Sequence, residues 1–462
     1  MSIQTINPAT ETPLETYPVM TQSAMGQLIE AAHARFENWQ HSDFHTRAKL
    51  LLNLAEILRA KSVDLAKLMA EEMGKPITSG QQEIDKCAWV CEHFAQHASD
   101  YLEPEYIKTE HKISKVCYQP LGVILAIMPW NFPFWQVFRF AAPTVMAGNV
   151  GILKHAPITT GSGLKIQELF LEAGFPEHVF STMVLTNEQT ATVIEHSYVN
   201  AVTFTGSEQT GMLLAACAGS NLKKIVMELG GSDPYVVLQD ADLDWAAQAI
   251  VSSRLNNNGQ TCISAKRTIV VSEVADALIE KIMTITQTYH FGDPLDPKTQ
   301  LGPMAREDLR IQVHQQVRES IAKGAILRLG GNLPKERGYY YPPTVLTHVR
   351  PGMPAFDDEV FGPVFAITIA ENEMEAIQLA NHSRFGLGAA VFTRDLERGE
   401  HIATYDLQAG QTAVNTVVAS DPRLPFGGIK HSGYGRELAR EGIREFTNIK
   451  TVVVNSAKKV ST

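Results

Sequence analysis

The chain has 462 residues, of which 44% are hydrophobic and 19% charged, and its formal net charge is −10. This length and composition are typical of an ordered globular protein with roughly three structural units of about 150 residues each. The acidic balance argues against binding to nucleic acids or anionic membranes, and no apolar run approaches the ~18 residues of a membrane span.

The cysteine content and the N-terminal residues indicate a cytoplasmic protein. Five cysteines are too few for a disulfide framework. The first residues lack the basic and apolar regions of a signal peptide. Cys87 and Cys91 stand four positions apart on one face of a predicted helix with no further ligand nearby, so we expect two buried thiols and no metal site.

The first hundred residues are predicted to be mainly helical. Apolar side chains from Met25 to Trp39 follow the three-to-four spacing of one helix face. A second helix is predicted to begin near Arg47, and Gly74 and Pro76 are expected to end the helix that comes next.

From residue 122 onward, short β-branched runs alternate with amphipathic stretches, which predicts a parallel sheet covered by helices on both faces. After about residue 240 the alternation starts again, which predicts a second α/β unit. Ligands of such sheets bind beyond the carboxyl ends of the strands. A late strand, NIKTVVVN (448–455), needs a pairing partner, and another subunit is one candidate. The other predicted strands are GVILAIM (122–128), VGILK (150–154), VFSTMVL (179–185), AVTFTG (201–206), IVMELGG (225–231), PYVVL (234–238), TIVVS (268–272) and VFAITI (364–369).

Two side chains are candidates for catalytic chemistry. Cys262 lies in NNNGQTCIS, a small polar segment that favours a loop and suits a nucleophilic thiol, although a structural cysteine fits the loop equally well. Glu228 follows a β-branched strand, where a buried carboxylate is costly unless it is paired or functional. Satisfaction of this carboxylate by backbone donors is the simpler interpretation of Glu228 alone.

Two loops have the composition of binding sites. In PWNFP, prolines bracket Asn131, and a rigidly held amide donor is what an oxyanion site requires. A plain turn with aromatic packing is the alternative. In FTGSEQTG, Gly206 and Ser207 precede a predicted helix, which suits phosphate binding, although the spacing is not that of the dinucleotide fingerprint.

These segments occur in a fixed order along the chain: PWNFP, the strand that ends at Lys154, FTGS, MELGG, GQTC, EVFGPV (359–364) and PFGGIKHSGYGRE (425–437). With this order, and with 34 positions from Glu228 to Cys262, the chain resembles the aldehyde dehydrogenase superfamily over nearly its whole length.

The resemblance implies an α/β protein in three parts. A Rossmann-like NAD(P)-binding domain is expected over 1–101 and 121–229, and a second α/β domain, the catalytic one, over 230–444. A β oligomerisation arm, expected to pair across the subunits of a homodimer or homotetramer, covers 102–120 and 445–462.

The resemblance also implies roles for the matched residues. Cys262 is the nucleophile, Asn131 and the backbone N–H of Cys262 hold the oxyanion, and Glu228 activates the water that hydrolyses the thioester. Either NAD or NADP is the expected cofactor. The residues expected to bind it are Trp130, Lys154, Pro157, Gly206, Ser207, Glu359 and Phe361.

The chain departs from some members of the superfamily at two positions. Phe140 stands where some members carry a lysine that works with a glutamate in the place of Glu437, so we expect no Lys–Glu proton relay and a structural Glu437. Pro157 stands where strictly NAD-dependent members often carry a glutamate, so we expect both cofactors to be accepted.

Within the superfamily, the resemblance is closest to succinate-semialdehyde dehydrogenases, several of which hold the substrate carboxylate with an arginine in the place of Arg139. Ser420 and Arg423 are expected to complete the substrate pocket, whereas Asn256 replaces a second arginine of some members. Succinic semialdehyde is the expected substrate, and a broad range of aliphatic aldehydes is the alternative.

Two other classes of function are considered. A cysteine hydrolase would pair Cys262 with a histidine base, and only His155 and His431 lie in the loops described above. A non-catalytic relative would be expected to lose Cys262 or Glu228, and this chain keeps both.

Overall fold

The structure is a computed structural model that describes residues 1–456. Residues 457–462, the end of the predicted oligomerisation arm, lie outside the described residues. In chain order the strands are β1 (Ser2–Asn7), β2 (Thr12–Pro18), β3 (Glu105–Tyr106), β4 (Ile113–Pro120), β5 (Val123–Met128), β6 (Val150–His155), β7 (Phe180–Thr182), β8 (Val199–Thr205), β9 (Lys224–Glu228), β10 (Pro234–Val237), β11 (Arg267–Val271), β12 (Ile326–Leu329), β13 (Thr344–Thr347), β14 (Val364–Ala370), β15 (Gly388–Phe392), β16 (Gln411–Val414), β17 (Gly433–Tyr434) and β18 (Thr447–Val454).

The helices cover the faces of the sheets and build most of the first hundred residues. They are α1 (Gln22–Trp39), α2 (Phe44–Ala60), α3 (Ser62–Met73), α4 (Ile77–Tyr101), α5 (Trp135–Met146), α6 (Thr160–Glu172), α7 (Asn187–Glu195), α8 (Glu208–Ser220), α9 (Leu243–Leu255), α10 (Ser272–Thr286), α11 (Glu307–Ala322), α12 (Pro354–Asp357), α13 (Glu373–Asn381), α14 (Leu396–His401) and α15 (Ala439–Glu445).

The first large sheet has six strands in the order β17-β9-β8-β5-β6-β7, and only β17 runs antiparallel to its neighbour. β5 and β6 are buried along their whole length, as expected for a sheet covered on both faces. The strand order reverses at β5, which pairs with β6 on one side and β8 on the other. Such a switch point opens a crevice at the carboxyl ends of the strands.

The second large sheet has seven strands in the order β12-β13-β14-β11-β10-β15-β16. All neighbours are parallel except β12 and β13. The two sheets confirm the predicted α/β fold, and each strand predicted between residues 122 and 370 overlaps an observed one. The limits predicted for the domains stay a prediction.

The N-terminal region is helical, as predicted, and also contains a hairpin that was not predicted. β1 and β2 pair antiparallel, from Ser2 opposite Pro18 to Asn7 opposite Thr12. α3 ends at Met73, and the next residue, Gly74, has a φ of +78°, the left-handed conformation that favours glycine at a helix end. Cys87 and Cys91 are free thiols, fully buried on α4.

A small third sheet joins β18, β4 and β3. β18 pairs antiparallel with β4 over eight positions, from Thr447 opposite Pro120 to Val454 opposite Ile113. The late strand therefore finds its partner in this chain and needs no second subunit for that edge. Within residues 1–456, no helix combines the length and the apolar character needed to span a membrane.

Candidate active site

Cys262 lies where two cavities meet. One has a volume of about 570 Å³ and the other of about 560 Å³, and their linings share only Cys262 and Gln136. The thiol can therefore be approached from two sides. A nucleophile that must meet both a substrate and a cofactor requires this arrangement. We call the larger one the substrate cavity and the smaller one the cofactor cavity.

The site lies between the edges of the two large sheets. The carboxyl ends of β5, β8 and β9 bring Asn131, Gly206 and Glu228. The segments that precede β11 and β14 bring Cys262 and Glu359 from the amino edge of the second sheet. The first sheet therefore contributes residues from the carboxyl ends of its strands, as expected, whereas the second contributes Cys262 and Glu359 from segments that precede strands.

The loop before Cys262 is held in an unusual backbone conformation. Asn257, Asn258 and Gly259 have φ values of +52°, +59° and +75°. The Asn258 amide donates to two backbone carbonyls at 3.0 Å each, which satisfies this polar side chain inside the protein. A Cβ at position 259 would lie 2.3 Å from the carbonyl carbon of Gly362, so only glycine fits there.

Arg254 ties this loop to the segment that carries Glu359. Its guanidinium is fully buried and donates to the carbonyls of Gly259 at 3.1 Å, Val360 at 2.7 Å and Val364 at 2.6 Å. A charged group with this many fixed acceptors acts as a rigid cross-link. Arg254 was not predicted, because nothing in the local sequence distinguishes it from an ordinary helix arginine.

Burial raises the pKa of the Cys262 thiol to about 11, although Arg139 and Lys266 partly oppose the shift. The Lys266 ammonium binds the carbonyl oxygen of Cys262 and lies 3.1 Å from the Glu359 carboxylate. The thiol is thus protonated at neutral pH in the structure as it stands, and a proton must leave before the sulfur can attack.

Asn131 is 4% exposed and contacts the loop before Cys262, which we call the nucleophile loop. Its side-chain amide nitrogen donates to the backbone carbonyl of Gln260 at 3.0 Å. The backbone carbonyl of Asn131 accepts from the side-chain amide of Asn257 at 2.7 Å. Within residues 1–456 the Cys262 N–H donates to no protein acceptor. The second N–H of the Asn131 amide and the Cys262 N–H are therefore the donors available for an oxyanion.

Glu228 is 2% exposed, and neither carboxylate oxygen has a hydrogen-bond partner within the described residues. Burial, followed by the neighbouring Glu437, raises the pKa of Glu228 well above its usual range. Its side chain lines neither cavity. Burial also raises the pKa of Glu437, which forms an ion pair with Arg139.

The cofactor cavity is lined by aromatic rings, by a carboxylate and by residues at the N-terminus of a helix. Trp130 and Phe361 meet edge to face with ring centres 5.7 Å apart. Glu359 accepts from the Gly231 N–H at 3.2 Å, and Gly206 and Ser207 stand directly before α8. Free backbone N–H groups at a helix start bind phosphate and aromatic faces suit a flat ring, so these residues fit a dinucleotide.

Lys154 and Pro157 lie at the same sheet edge but outside the lining of the cofactor cavity. The Lys154 ammonium is buried and donates to Asn187 at 2.9 Å. Pro157 is exposed and begins a short 3₁₀ turn after β6, where it has no N–H to offer a ligand.

The substrate cavity is lined by Arg139 and Ser420, two of the residues expected in the substrate pocket, and by Asn256, which replaces a second arginine of some members. Lys86 also lines it and was not predicted. Arg423 does not line either cavity. It is exposed and pairs with the adjacent Asp421 at 2.7 Å, because the loop turns its side chain outward. The structure thus brings together every predicted substrate residue except Arg423.

Neither histidine of the hydrolase alternative is suited to act as a base for Cys262. His155 is buried between the Pro133 carbonyl and the Thr159 hydroxyl, and burial lowers its pKa to about 4. His431 is paired with Glu208. No histidine lines either cavity in the described part of the chain.

Comparison with known proteins agrees with this geometry. The aldehyde dehydrogenase family profile matches residues 1–452. A probable succinate-semialdehyde dehydrogenase [NADP(+)] of Synechocystis is 45% identical over 98% of this chain and 99% of its own length. The succinate semialdehyde dehydrogenase [NAD(P)+] Sad of Escherichia coli is 44% identical over 97% and 96%. The succinic semialdehyde dehydrogenase of Streptococcus pyogenes, solved with NADP+, superposes with a TM-score of 0.96 at 36% identity, over 98% of this chain and 100% of that one. The chain belongs to the aldehyde dehydrogenase family.

Proposed function

We propose that this protein oxidises succinic semialdehyde to succinate with NADP or NAD. The observation that carries the proposal is the meeting of two cavities at Cys262, one with groups suited to a dinucleotide and the other lined by cationic side chains. Relatives that share 44–45% of their residues with this chain over nearly its full length are named for this reaction.

The first step is loss of the Cys262 thiol proton to solvent in the cavity, followed by attack of the thiolate on the aldehyde carbon, which gives a thiohemiacetal. The negative charge that develops on the aldehyde oxygen is held by the Asn131 amide and the Cys262 N–H. Both donors are fixed before the substrate arrives. The nucleophile loop is hydrogen-bonded to Asn131, and Arg254 links it to the segment that carries Glu359.

The cofactor cavity would hold the nicotinamide, which would supply the hydride acceptor for oxidation at the aldehyde carbon. Trp130 and Phe361 confine the ring, and Glu359 is held ready for the adjoining ribose by Lys266. The N–H groups of Ser207 and of the first residues of α8 are available to bind the phosphates, whereas the Gly206 N–H donates to the Glu228 carbonyl at 3.0 Å. Lys154 at the end of β6 and Pro157 just after it are the residues that we propose for the adenosine ribose.

Glu228 then activates water to hydrolyse the thioester. Its carboxyl group lies outside both linings, so it rotates from its place beside Glu437 toward Cys262 for this step. Because burial and Glu437 raise the pKa of Glu228, its carboxylate, once ionised, is a stronger base toward water than an ordinary carboxylate.

We further propose that the protein works in the cytoplasm as a homodimer or homotetramer. Its five cysteines are all free thiols, as is usual in a reducing compartment. The three-stranded sheet exposes Tyr106, Ile449 and Val453, whose exposed fractions are 71%, 66% and 50%. A second copy of this sheet is the occupant expected there, and light scattering of the purified protein tests it.

The experiment that tests the main proposal is a panel of aldehydes assayed with NAD and with NADP. Succinic semialdehyde is expected to give a higher kcat/KM than butanal, which has the same four carbons and no carboxylate. A preference for butanal would make the enzyme a general aliphatic aldehyde dehydrogenase. Ester hydrolysis without any aldehyde-dependent formation of reduced nicotinamide would place it with the cysteine hydrolases.

A further inference from the structure

Lys86 occupies the substrate cavity in a well-defined position. Its ammonium donates to the Ser420 hydroxyl at 2.8 Å and lies 4.2 Å from the centre of the Trp135 ring. All three residues line the same cavity as Cys262. Lys86 comes from α4 and Ser420 from the loop after β16, so the pair spans the cavity between distant parts of the chain.

Lys86 differs from the other cations of this cavity because it has no acidic partner. Arg139 forms a buried ion pair with Glu437, and Lys75 forms one with Glu83. Among residues 1–456 no carboxylate lies within 4.0 Å of the Lys86 ammonium. Lys86 is therefore the cavity cation whose charge remains available to a ligand.

The surroundings of Lys86 favour an anion beside it. Burial, followed by repulsion from Arg139, lowers the pKa of Lys86 to about 8. A carboxylate next to the ammonium would relieve this repulsion and form a charge-assisted hydrogen bond. The Ser420 hydroxyl, which already bonds Lys86, can turn its proton toward the same carboxylate.

We propose that Lys86, together with Ser420, binds the carboxylate of the semialdehyde acid and is the residue that determines specificity for it. This inference rests on the proposed function and deepens it. The guanidinium of Arg139, the residue expected to hold the carboxylate, is already engaged with Glu437 and with Thr205 at 3.2 Å. The main carboxylate contact is therefore assigned to Lys86, which was not predicted.

The test compares wild type, Lys86→Met and Lys86→Arg with succinic semialdehyde and with butanal. Methionine keeps the length of the side chain without its charge, and arginine keeps the charge. We expect Lys86→Met to lower kcat/KM for the acid on the order of 100-fold, mainly through KM, because the carboxylate is held equally in the ground and transition states. The loss with butanal should stay within about threefold, and Lys86→Arg should restore most of the preference for the acid.

Inhibition by succinate, measured with butanal as substrate, provides a second readout. Lys86→Met and Ser420→Ala should both weaken this inhibition, and Ser420→Ala keeps the test available if Lys86→Met does not fold. Asp85→Asn is the matched control, because this exposed neighbour on α4 changes the charge by one without lining the cavity. Its kinetics should equal those of wild type.

The outcomes separate the two proposals. If wild type shows no preference for succinic semialdehyde over butanal, the proposed function fails. If wild type prefers the acid and Lys86→Met keeps that preference, the proposed function stands and Lys86 is not the carboxylate residue. Equal losses on both substrates, with a change in kcat, would give Lys86 a purely structural role and overturn the inference.

Discussion

The guanidinium of Arg139 is paired with the carboxylate of Glu437 where both side chains are almost fully buried, at 2% and 4% exposure. The pair lies beside Glu228, whose pKa is raised in part by Glu437. Arg139 thus compensates a negative charge that would otherwise make the Glu228 carboxyl still harder to ionise. The structural role expected for Glu437 stays a prediction, and Arg139 is the partner that this role would involve.

Arg139→Ala should destabilise the protein and impair both substrates. Removal of one member of a buried ion pair leaves its partner uncompensated, which costs about 3–5 kcal/mol. Urea unfolding measures this loss, and the double variant Arg139→Met/Glu437→Gln should recover much of it. Unchanged stability together with a loss confined to succinic semialdehyde would instead make Arg139 the direct carboxylate contact.

The pH dependence of substrate preference should report Lys86. Its pKa of about 8 reflects burial and Arg139, opposed by Cys87, Glu83 and Asp421. The lysine is charged below this pH and neutral above it. The ratio of kcat/KM for succinic semialdehyde to that for butanal should therefore fall as the pH rises through about 8. The ratio cancels the ionisation of groups that both substrates share, and it should stay flat in Lys86→Arg.

Labelling of Cys262 by iodoacetamide in the cofactor-free enzyme should accelerate about tenfold per pH unit between pH 7 and pH 10. The thiolate is the reactive form, and burial raises the pKa of this thiol to about 11. Mass spectrometry of the Cys262 peptide follows the reaction, with Cys262→Ala showing the labelling of the other four cysteines. A plateau below pH 9 would contradict the raised pKa.

Glu228→Gln should slow hydrolysis of the thioester more than its formation. Glutamine keeps the size of the side chain and cannot accept a proton from water. Rapid mixing should then show a first turnover of reduced cofactor followed by a slow steady state. If a folded variant lost the first turnover as well, Glu228 would act before hydride transfer.

Pro157→Glu should shift cofactor preference toward NAD. A carboxylate near the 2′-phosphate of NADP would cost about 1–3 kcal/mol in a partly screened position. The measurement is KM for NADP and for NAD in wild type and variant. Pro157→Gln, which adds bulk without charge, is the matched control, and an unchanged NADP/NAD ratio would show that residue 157 does not face the adenosine ribose.

The sequence predicted those parts of the site that are local in the chain. Asn131, Gly206 and Glu228 each lie at or just after the end of a strand whose pattern of β-branched residues is clear, and their place at one sheet edge follows from the parallel arrangement. The β1–β2 hairpin was missed, because β2 is exposed almost throughout and has no alternation of buried and exposed side chains.

Lys86 could not be recognised in the sequence for a different reason. Its partner Ser420 lies 334 positions away, and its importance depends on which cavity cations already have acidic partners. Pairing between distant elements is a property of packing and leaves no periodic signal. The same argument explains why Arg423 was expected in the pocket, since the direction of one side chain in a loop does not follow from its position.

The two cavities that meet at Cys262 have separate linings apart from two residues, and this has a consequence for the kinetic order. Residues of one lining would hold the dinucleotide and residues of the other would hold the acyl group on Cys262, so the dinucleotide would be able to leave while the acyl group stays in place. Departure of the dinucleotide then opens a path by which solvent reaches the thioester. Product succinate should accordingly compete with the aldehyde but not with the oxidised nucleotide. Binding in the substrate cavity would then leave binding in the cofactor cavity unchanged.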